Sequence, residues 1–517
     1  MTKVKILWAD DEIDLLKPHI MFLENKGYHL TTVTSGNDAV DEVGENYFDI
    51  VFLDENMPGI SGLEALQKIK ELDHTLPVIM ITKSEEESIM EEAIGSQISD
   101  YLIKPVNPHQ ILLSVKKNLD NKRLVSEKTN SSYQQKFRDI SMKLMNRLDK
   151  NEWMDIHKEL IHWDMELQKT TDDGMSEILD AQKNEANHLF SKFIKSNYLA
   201  WLNDTEEAPI MSHTLLQRSV FPLLKKTDKP VYLVVIDNLR FDQWKMLQPE
   251  FAQRYRVEDE GIYYSILPTA TQYARNAIFA GLMPSEIEKM YPDLWKNETD
   301  EGSKNMFEKE LLKKQLTRNG FDIPFSYNKI TNLRAGKKLA DNFKQLVNNK
   351  LNVIVYNFVD MLSHARTDME VIKELADDEA AYRSLTKSWF EHSPLLEIFK
   401  KIADVGGEVI ITTDHGTMRV QTPVKVIGDR NTNTNLRYKT GKNLNYKAKE
   451  VFEITKPAEA FLPKINVSSK YIFTLGDGYF VYPNNQNYYT SFYKNSFQHG
   501  GISMEEVLIP IIHLKAK

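Results

Sequence analysis

Cysteine is absent from the 517-residue chain. That excludes disulfides, thiolate metal sites and cysteine nucleophiles together, and leaves the redox compartment undetermined. Long apolar runs are also missing. The longest, such as Val231 to Ile236, fall far short of the ~18 residues a membrane helix needs, so no membrane insertion is expected. The opening MTKVKILWADDE has no apolar stretch ahead of its acids, so a signal peptide is not expected either. There is no basic excess: the formal charge is −9, which argues against a general nucleic-acid coat. Glycine (21) and proline (19) are sparse and no repeat stands out, as expected of globular domains throughout. With no thiolate available, any metal must be held by Asp, Glu and His.

What is present divides into three stretches. Residues 1–122 alternate short apolar strands with helical patterns: KILWAD, a helix from Asp14 to Lys26, HLTTVTS, another helix, and FDIVFLD. That series predicts a parallel sheet wound on both faces, with polar sites gathered at the carboxyl ends of its strands. Across 123–207 strand signals vanish. Ile140, Leu144 and Leu148, then Ile156, Leu160 and Trp163, recur at helical spacing. Breaks at Lys150-Asn151 and Asp172–Gly174 suggest about three helices, expected to act as a spacer and docking element. In 208–517, αβ alternation resumes around VYLVVID, LNVIVYNFVD and GEVIITTDH.

In the first stretch, Asp10 and Asp11 end the first strand, Asp54 the third and Thr82 the fourth, and Lys104 follows YLI. Three carboxylates brought together repel unless a cation joins them, and oxygen ligands suit Mg²⁺. ADDE at 9–12, DENMPGISG at 54–62, Thr82 and YLIKP at 101–105 resemble the receiver domain of bacterial response regulators. The resemblance implies a flavodoxin-like fold with Asp54 as phosphoacceptor. It implies Mg²⁺ held by Asp11, Asp54 and the carbonyl of Asn56, with Asp10 completing the acidic pocket. Thr82 and Tyr101 would be the switch pair, and Lys104 the cation that reads the phosphoryl group. Lys83 departs from the pattern, because receivers usually carry a small residue there; a long cation could alter access to Asp54.

The last stretch puts Asp237, Asp360 with His364, and Asp414-His415 directly after apolar strands, with His499 near the end. This inventory suits two mixed oxygen/nitrogen sites for Zn²⁺ or Mn²⁺. LPTATQYARNAIFAGL (267–282) reads as a loop feeding a helix, with Thr269 or Thr271 near a helix N-terminus that favours a bound oxyanion. VIDNLR, PTATQYARNAIFAGL, VDMLSH, TTDHG and QHGGIS, in that order, resemble the alkaline phosphatase superfamily and more closely its PglZ branch. The resemblance implies one zinc on Asp237, Thr271, Asp414 and His415, a second on Asp360, His364 and His499, and Thr271 as nucleophile through a phosphothreonine intermediate.

Between Arg430 and Lys449 lie Arg430, Arg437, Lys439, Lys442, Lys447 and Lys449 with Tyr438 and Tyr446 and no acid. The stretch reads either as a solvated loop or as a phosphate-backbone contact with stacking aromatics. Arg275 and Arg240 are further candidates to touch a phosphate. Receiver, helical middle and PglZ domain together resemble the PorX-type regulators. That resemblance implies an upstream sensor histidine kinase, cytoplasmic residence, a phosphorylation-dependent homodimer and a link to type IX secretion and gliding. It also implies a zinc phosphodiesterase acting on nucleotides or oligonucleotides. Two competing readings are a phosphomonoesterase or sulfatase, and a non-catalytic regulator with a structural metal site that binds a sigma factor or secretion-system component.

Overall fold

The computed structural model describes residues 4–83, 98–169, 173–204, 206–428, 432–464 and 468–517. They form two compact units, Met1–Ser132 and Tyr133–Lys517.

The first unit is a five-stranded parallel sheet of order β2-β1-β3-β4-β5. Its strands are β1 (Lys5–Ala9), β2 (His29–Val33), β3 (Ile50–Asp54), β4 (Val78–Thr82) and β5 (Asp100–Ile103). The period of two along each strand divides its side chains between two cores. Leu7, Ala9, Val51 and Leu53 pack against Ala39 of helix α1 (Gly36–Glu45) and against Ala65, Leu66 and Ile69 of α2 (Gly62–Leu72). Ile6, Trp8, Ile50 and Phe52 face Ile111 and Val115 of α3 (Pro108–Leu144). The sheet is therefore doubly wound, as the alternation predicts. Ser61 and Glu64 form a capping box that starts α2 directly after the β3 loop. A Cβ on Gly62 would stand 2.2 Å from the Asp54 carbonyl oxygen, so only glycine lets α2 approach so closely.

The second unit contains a six-stranded sheet of order β7-β11-β10-β6-β9-β8. Its strands are β6 (Val231–Ile236), β7 (Tyr255–Tyr264), β8 (Phe325–Ile330), β9 (Leu351–Tyr356), β10 (Glu408–Thr412) and β11 (Leu508–Ala516). β10, β6, β9 and β8 run parallel, while β11 and β7 close one edge antiparallel. All six side chains of β6 are buried, which explains its unbroken apolar run.

The helical middle docks on the sheet domain, the docking half of the expectation. α3 ends at Leu144, α4 covers Lys150–Leu167 and α5 Asp173–Asn203. The first break falls at 145–149, just before the expected Lys150-Asn151 pair, because Asp149 caps α4 in a box with Glu152. Of the second expected break, Asp172 lies outside the described residues. Ile140, Leu144, Trp153, Ile156, Leu160, Phe190 and Tyr198 belong to the same continuous core as β6 and β10. The helices bury their apolar stripe on the sheet domain, so the two fold as one unit. Among the described residues no helix is long and apolar enough to cross a membrane.

Candidate functional site

The carboxyl ends of the first sheet gather the expected acidic pocket. Asp10, Asp11 and Asp54 offer oxygens that all lie within 4.8 Å of one another. Lys104 Nζ sits between Asp10 Oδ2 (2.9 Å) and Asp54 Oδ2 (3.0 Å). Burial is the main cause that pushes Asp54 up to about 6, with Lys104 and the Glu55 N–H opposing it. One ammonium cannot neutralise three carboxylates, and the donor set fits a divalent cation with oxygen ligands. Asn56 is exposed in the loop directly after β3. Tyr101 is hydrogen-bonded to Thr82, whose hydroxyl donates to Glu55. Lys83 is exposed and its ammonium pairs with Glu12 at 2.8 Å.

In the second unit the parallel neighbours β10, β6 and β9 release their chains at one edge. Asp237 follows β6, and Thr413, Asp414 and His415 follow β10. β9 leads into α6, for which we take Phe358–Asp368, with Asp360 and His364 one turn apart. Thr271 is the first residue of α7 (Thr271–Ala280), whose N-cap Ala270 supplies no side-chain cap. His499 follows Phe497–Gln498, a short strand paired with Met418–Arg419 just beyond His415.

Two clusters result, Asp237–Asp414–His415 and Asp360–His364–His499, each with ligand atoms within 4.8 Å of one another. They adjoin through the stacked rings of His415 and His499, 4.3 Å between centroids. Thr271 Oγ1 lies 3.0 Å from His415 Nε2 and 3.4 Å from Asp237 Oδ1. His499 Nε2 is 3.7 Å and His364 Nε2 3.6 Å from the Asp360 carboxylate.

The donor chemistry fits metal ions. His415 Nδ1 faces the Gly416 carbonyl (3.2 Å) and His499 Nδ1 the Thr269 carbonyl (3.2 Å), which fixes Nδ1 as the protonated nitrogen and leaves Nε2 a free lone pair. Burial holds both imidazoles below the usual histidine range, and His415 and His364 add to the effect on His499. Burial likewise raises Asp360 and Asp414 and pushes Asp237 up to about 6. Asp360 Oδ1 and Asp414 Oδ2 are buried without a hydrogen-bond partner. Buried carboxylates beside neutral imidazoles need a cation.

Thr269 and Thr271 separate cleanly. The buried Thr269 hydroxyl donates to the Gly501 carbonyl (2.9 Å) and accepts from the Gly500 N–H (3.0 Å), so it is spent on the loop. Thr271 opens onto a pocket of about 430 Å³, also lined by Gln272, Lys304, Asn305, Asp360, His364, Asn435, Gln498 and His499.

Residues 215–514 match the BREX-system PglZ alkaline phosphatase-like domain. The chain belongs to the PglZ family. Ahead of the PglZ domain, residues 123–202 match the PorX response regulator linker domain and residues 6–116 the response regulator receiver domain. This is the PorX-type architecture. Curated relatives include the transcriptional regulatory protein ResD of Bacillus subtilis (strain 168), 33% identical over 114 residues, 22% of this chain and 47% of that protein. SrrA of Staphylococcus aureus (strain NCTC 8325 / PS 47), another transcriptional regulatory protein, is 31% identical over 112 residues, 22% of this chain and 46% of that one. The chain spans about half the length of these relatives. Among solved structures, a CheY-like receiver domain protein from Methanospirillum hungatei JF-1 is 25% identical, covering 23% of this chain and 96% of its own, with a TM-score of 0.23. The BeF3-activated DrrB receiver domain is 29% identical, covering 23% and 99%, with a TM-score of 0.22.

Three sequence expectations fail at the PglZ site. Arg275 does not face the pocket: it is buried, 2.6 Å from Asp237 Oδ2, with Glu308 on its other side. Arg240 is equally buried and pairs with Asp242 and Glu379. The basic stretch after Arg430, itself outside the described residues, is no continuous solvent-facing track. Arg437 and Lys439 are buried, Arg437 on Glu506, and Tyr438 is buried with its hydroxyl on Glu298. Of the stretch's described basic residues, Lys442, Lys447 and Lys449 are exposed.

Sequence reasoning also missed Glu308, Glu506, Lys304 and Asn305. Asn305 donates to the Thr271 carbonyl at 3.0 Å. Glu506 accepts from the Gly501 N–H at 2.9 Å and bonds Ser503 at 2.8 Å. The Ser503-x-x-Glu506 spacing is a capping signal that could have found it.

Proposed function

We infer that this chain is a response regulator phosphorylated on Asp54 whose output is a two-zinc phosphodiesterase acting on nucleotides or oligonucleotides. The observation that carries the reading is a pair of adjoining carboxylate–imidazole clusters, one of them in contact with the hydroxyl of Thr271, which lines the same pocket as the other. Asp237, Asp414, His415 and Thr271 would hold one zinc, and Asp360, His364 and His499 the other. When bound, two such ions supply Lewis-acid activation of a hydroxyl and offset phosphoryl charge.

The chain's own groups do the rest. Thr271 Oγ1, flanked by Asp237 and His415, gives up its proton to solvent and attacks phosphorus while the bond to the leaving ester oxygen breaks, and that oxygen takes a proton from water. Water then cleaves the resulting phosphothreonine. The uncapped first turn of α7 presents backbone N–H groups to a phosphoryl oxygen. Asn305 steadies the same turn through the Thr271 carbonyl.

A diester is favoured over a monoester by the charge of the wall. Lys304 is the single Lys or Arg among the described residues lining the pocket, since Arg275 is committed to Asp237 and Glu308. One scissile negative charge suits that wall better than two. Gln272, Asn305, Asn435 and Gln498 offer amides for sugar and base edges.

In the receiver, Asp11, Asp54 and the Asn56 carbonyl would hold Mg²⁺, with Asp10 beside them. Lys104, Thr82 and Tyr101 would answer a new phosphoryl group. The PorX-type architecture supports the remaining parts of the reading: a sensor histidine kinase as donor, cytoplasmic residence, a phosphorylation-dependent homodimer and control of type IX secretion and gliding. It also supports the division into 1–122, 123–207 and 208–517.

The test compares wild type with Thr271→Val for bound zinc and for cleavage of bis(p-nitrophenyl) phosphate and short and cyclic oligonucleotides. Both should bind about two ions per chain, with cleavage in the wild type alone and slow turnover of a monoester or sulfate ester. Metal binding without cleavage by either protein would leave a structural metal site and a protein-binding regulator.

A further inference from the structure

The two loops that complete the metal clusters are both tied to one helix of the linker. α5 carries Asn187, Ser191 and Tyr198, all of them buried. The Tyr198 hydroxyl accepts from the Leu267 N–H at 2.8 Å, at the head of the segment that runs through Thr269 to Thr271. Asn187 Oδ1 accepts from the Met504 N–H at 2.8 Å, and its amide donates to Glu505 at 3.0 Å. Ser191 Oγ donates to the Asn187 carbonyl (2.8 Å) and reaches the Ile502 carbonyl at 3.4 Å, three residues beyond His499. The two loops are also tied to each other. Thr269 bonds Gly500 and Gly501 with its hydroxyl and His499 with its carbonyl. Gly500, at φ +117°, has Tyr438 packed where a Cβ would stand, which leaves that turn little room to move.

We propose that Asn187, Ser191 and Tyr198 are positioning residues for the reaction at Thr271, so that the linker helix is a working part of the PglZ site. Asn187 and Tyr198 lie about three turns apart, roughly 16 Å along a rigid rod. One rod therefore fixes the spacing between the loop that presents the hydroxyl and the loop that presents His499. The bonds at Leu267, Met504 and Ile502 are buried, directional contacts to backbone groups. Displacement of a reacting group by about 1 Å costs on the order of a hundredfold in rate. None of the three side chains lines the pocket, so they act through the loops and not on substrate.

The kinetic part of this inference rests on the phosphodiesterase reading; the metal-site part does not. The experiment uses the full chain as wild type, Tyr198→Phe and Asn187→Leu, each loaded with zinc for kinetics and with cobalt(II) for its visible spectrum. Tyr198→Phe should lower kcat on bis(p-nitrophenyl) phosphate about tenfold with KM within about twofold, because orientation and not ground-state binding is lost. Asn187→Leu should change the cobalt spectrum and weaken the second ion about tenfold, because the loop that presents His499 loses its anchor on α5 at Met504 and Glu505. If both variants fold and retain the wild-type kcat, cobalt spectrum and zinc affinity, the inference is overturned. The same follows if activity falls only in proportion to the unfolded fraction. Should Asn187→Leu fail to fold, Tyr198→Phe decides, since it removes a single oxygen. If the wild type cleaves no diester, the phosphodiesterase reading fails, and the cobalt spectra still decide the role of α5.

Discussion

Two threonines two residues apart carry separate duties. Thr269 Oγ1 is buried between Gly500 N and Gly501 O, whereas Thr271 Oγ1 stands between His415 and Asp237 at the pocket floor. Valine at 271 removes the proposed nucleophile and leaves backbone bonds intact. Valine at 269 leaves two buried backbone groups unpaired, at about 1–3 kcal/mol. Thr269→Val is therefore expected to melt several degrees lower with partial activity, and Thr271→Val to melt as the wild type with none. Paired melting curves and initial rates check this.

Arg275 presents the same division. Its guanidinium joins Asp237 to Glu308, with Asp414 3.8 Å away. Arg275→Met would strand buried carboxylates, at about 3–5 kcal/mol. Zinc should restore more stability to this variant than to the wild type, because the ion neutralises two of the three acids. Thermal melts with and without zinc measure the difference.

At the scale of elements, α4 buries His157 beside a cluster of Asp164, Lys183, Arg240, Asp242 and Arg383. Burial lowers His157 to about 3. The sign follows from linkage: above pH 6.5 the imidazole is neutral folded or unfolded, and below it the unfolded chain binds a proton that the folded chain refuses. Stability is thus complete above about pH 6.5 and lost as pH falls toward 3, at about 1.4 kcal/mol per unit. Carboxyls with raised pKa values slope the other way, so the difference between proteins is the useful quantity. The stability of His157→Gln relative to wild type should rise steadily from pH 6.5 to 5, by urea unfolding at fixed ionic strength.

Much of this was legible in the sequence. Acids after apolar strands mark the parallel sheet edges, and Asp10, Asp54, Asp237 and Asp414 fall where their strands end. What was not legible depends on contacts distant in sequence. Arg437 looks like part of a basic loop because its partner, Glu506, is far along the chain and invisible to a local reading. Helical periodicity gave the end of α3 and α4 an apolar stripe but could not say that the stripe faces the PglZ sheet. Polar residues such as Asn187 and Tyr198 carry no period at all.

The whole molecule comprises two units, each with its own apolar core and its own candidate cation site. A ligand stabilises the unit that binds it by mass action, on the order of 4 kcal/mol at a thousandfold excess over Kd. The two sites call for different ions: oxygen donors alone at Asp10, Asp11 and Asp54, and imidazole with carboxylate at the PglZ clusters. Calorimetry should therefore resolve two transitions with separate ligand dependence. Chelation should lower the transition of the PglZ unit and leave the receiver transition in place, and zinc should restore it. Mg²⁺ with beryllofluoride, which mimics the phosphoryl group on Asp54, should raise the receiver transition and shift the mass by light scattering from monomer to dimer. Asp54→Ala should abolish both beryllofluoride effects while keeping the zinc response. An unchanged monomer under beryllofluoride would sink the dimerisation reading, and a single transition answering equally to both ligands would mean that the two units unfold as one.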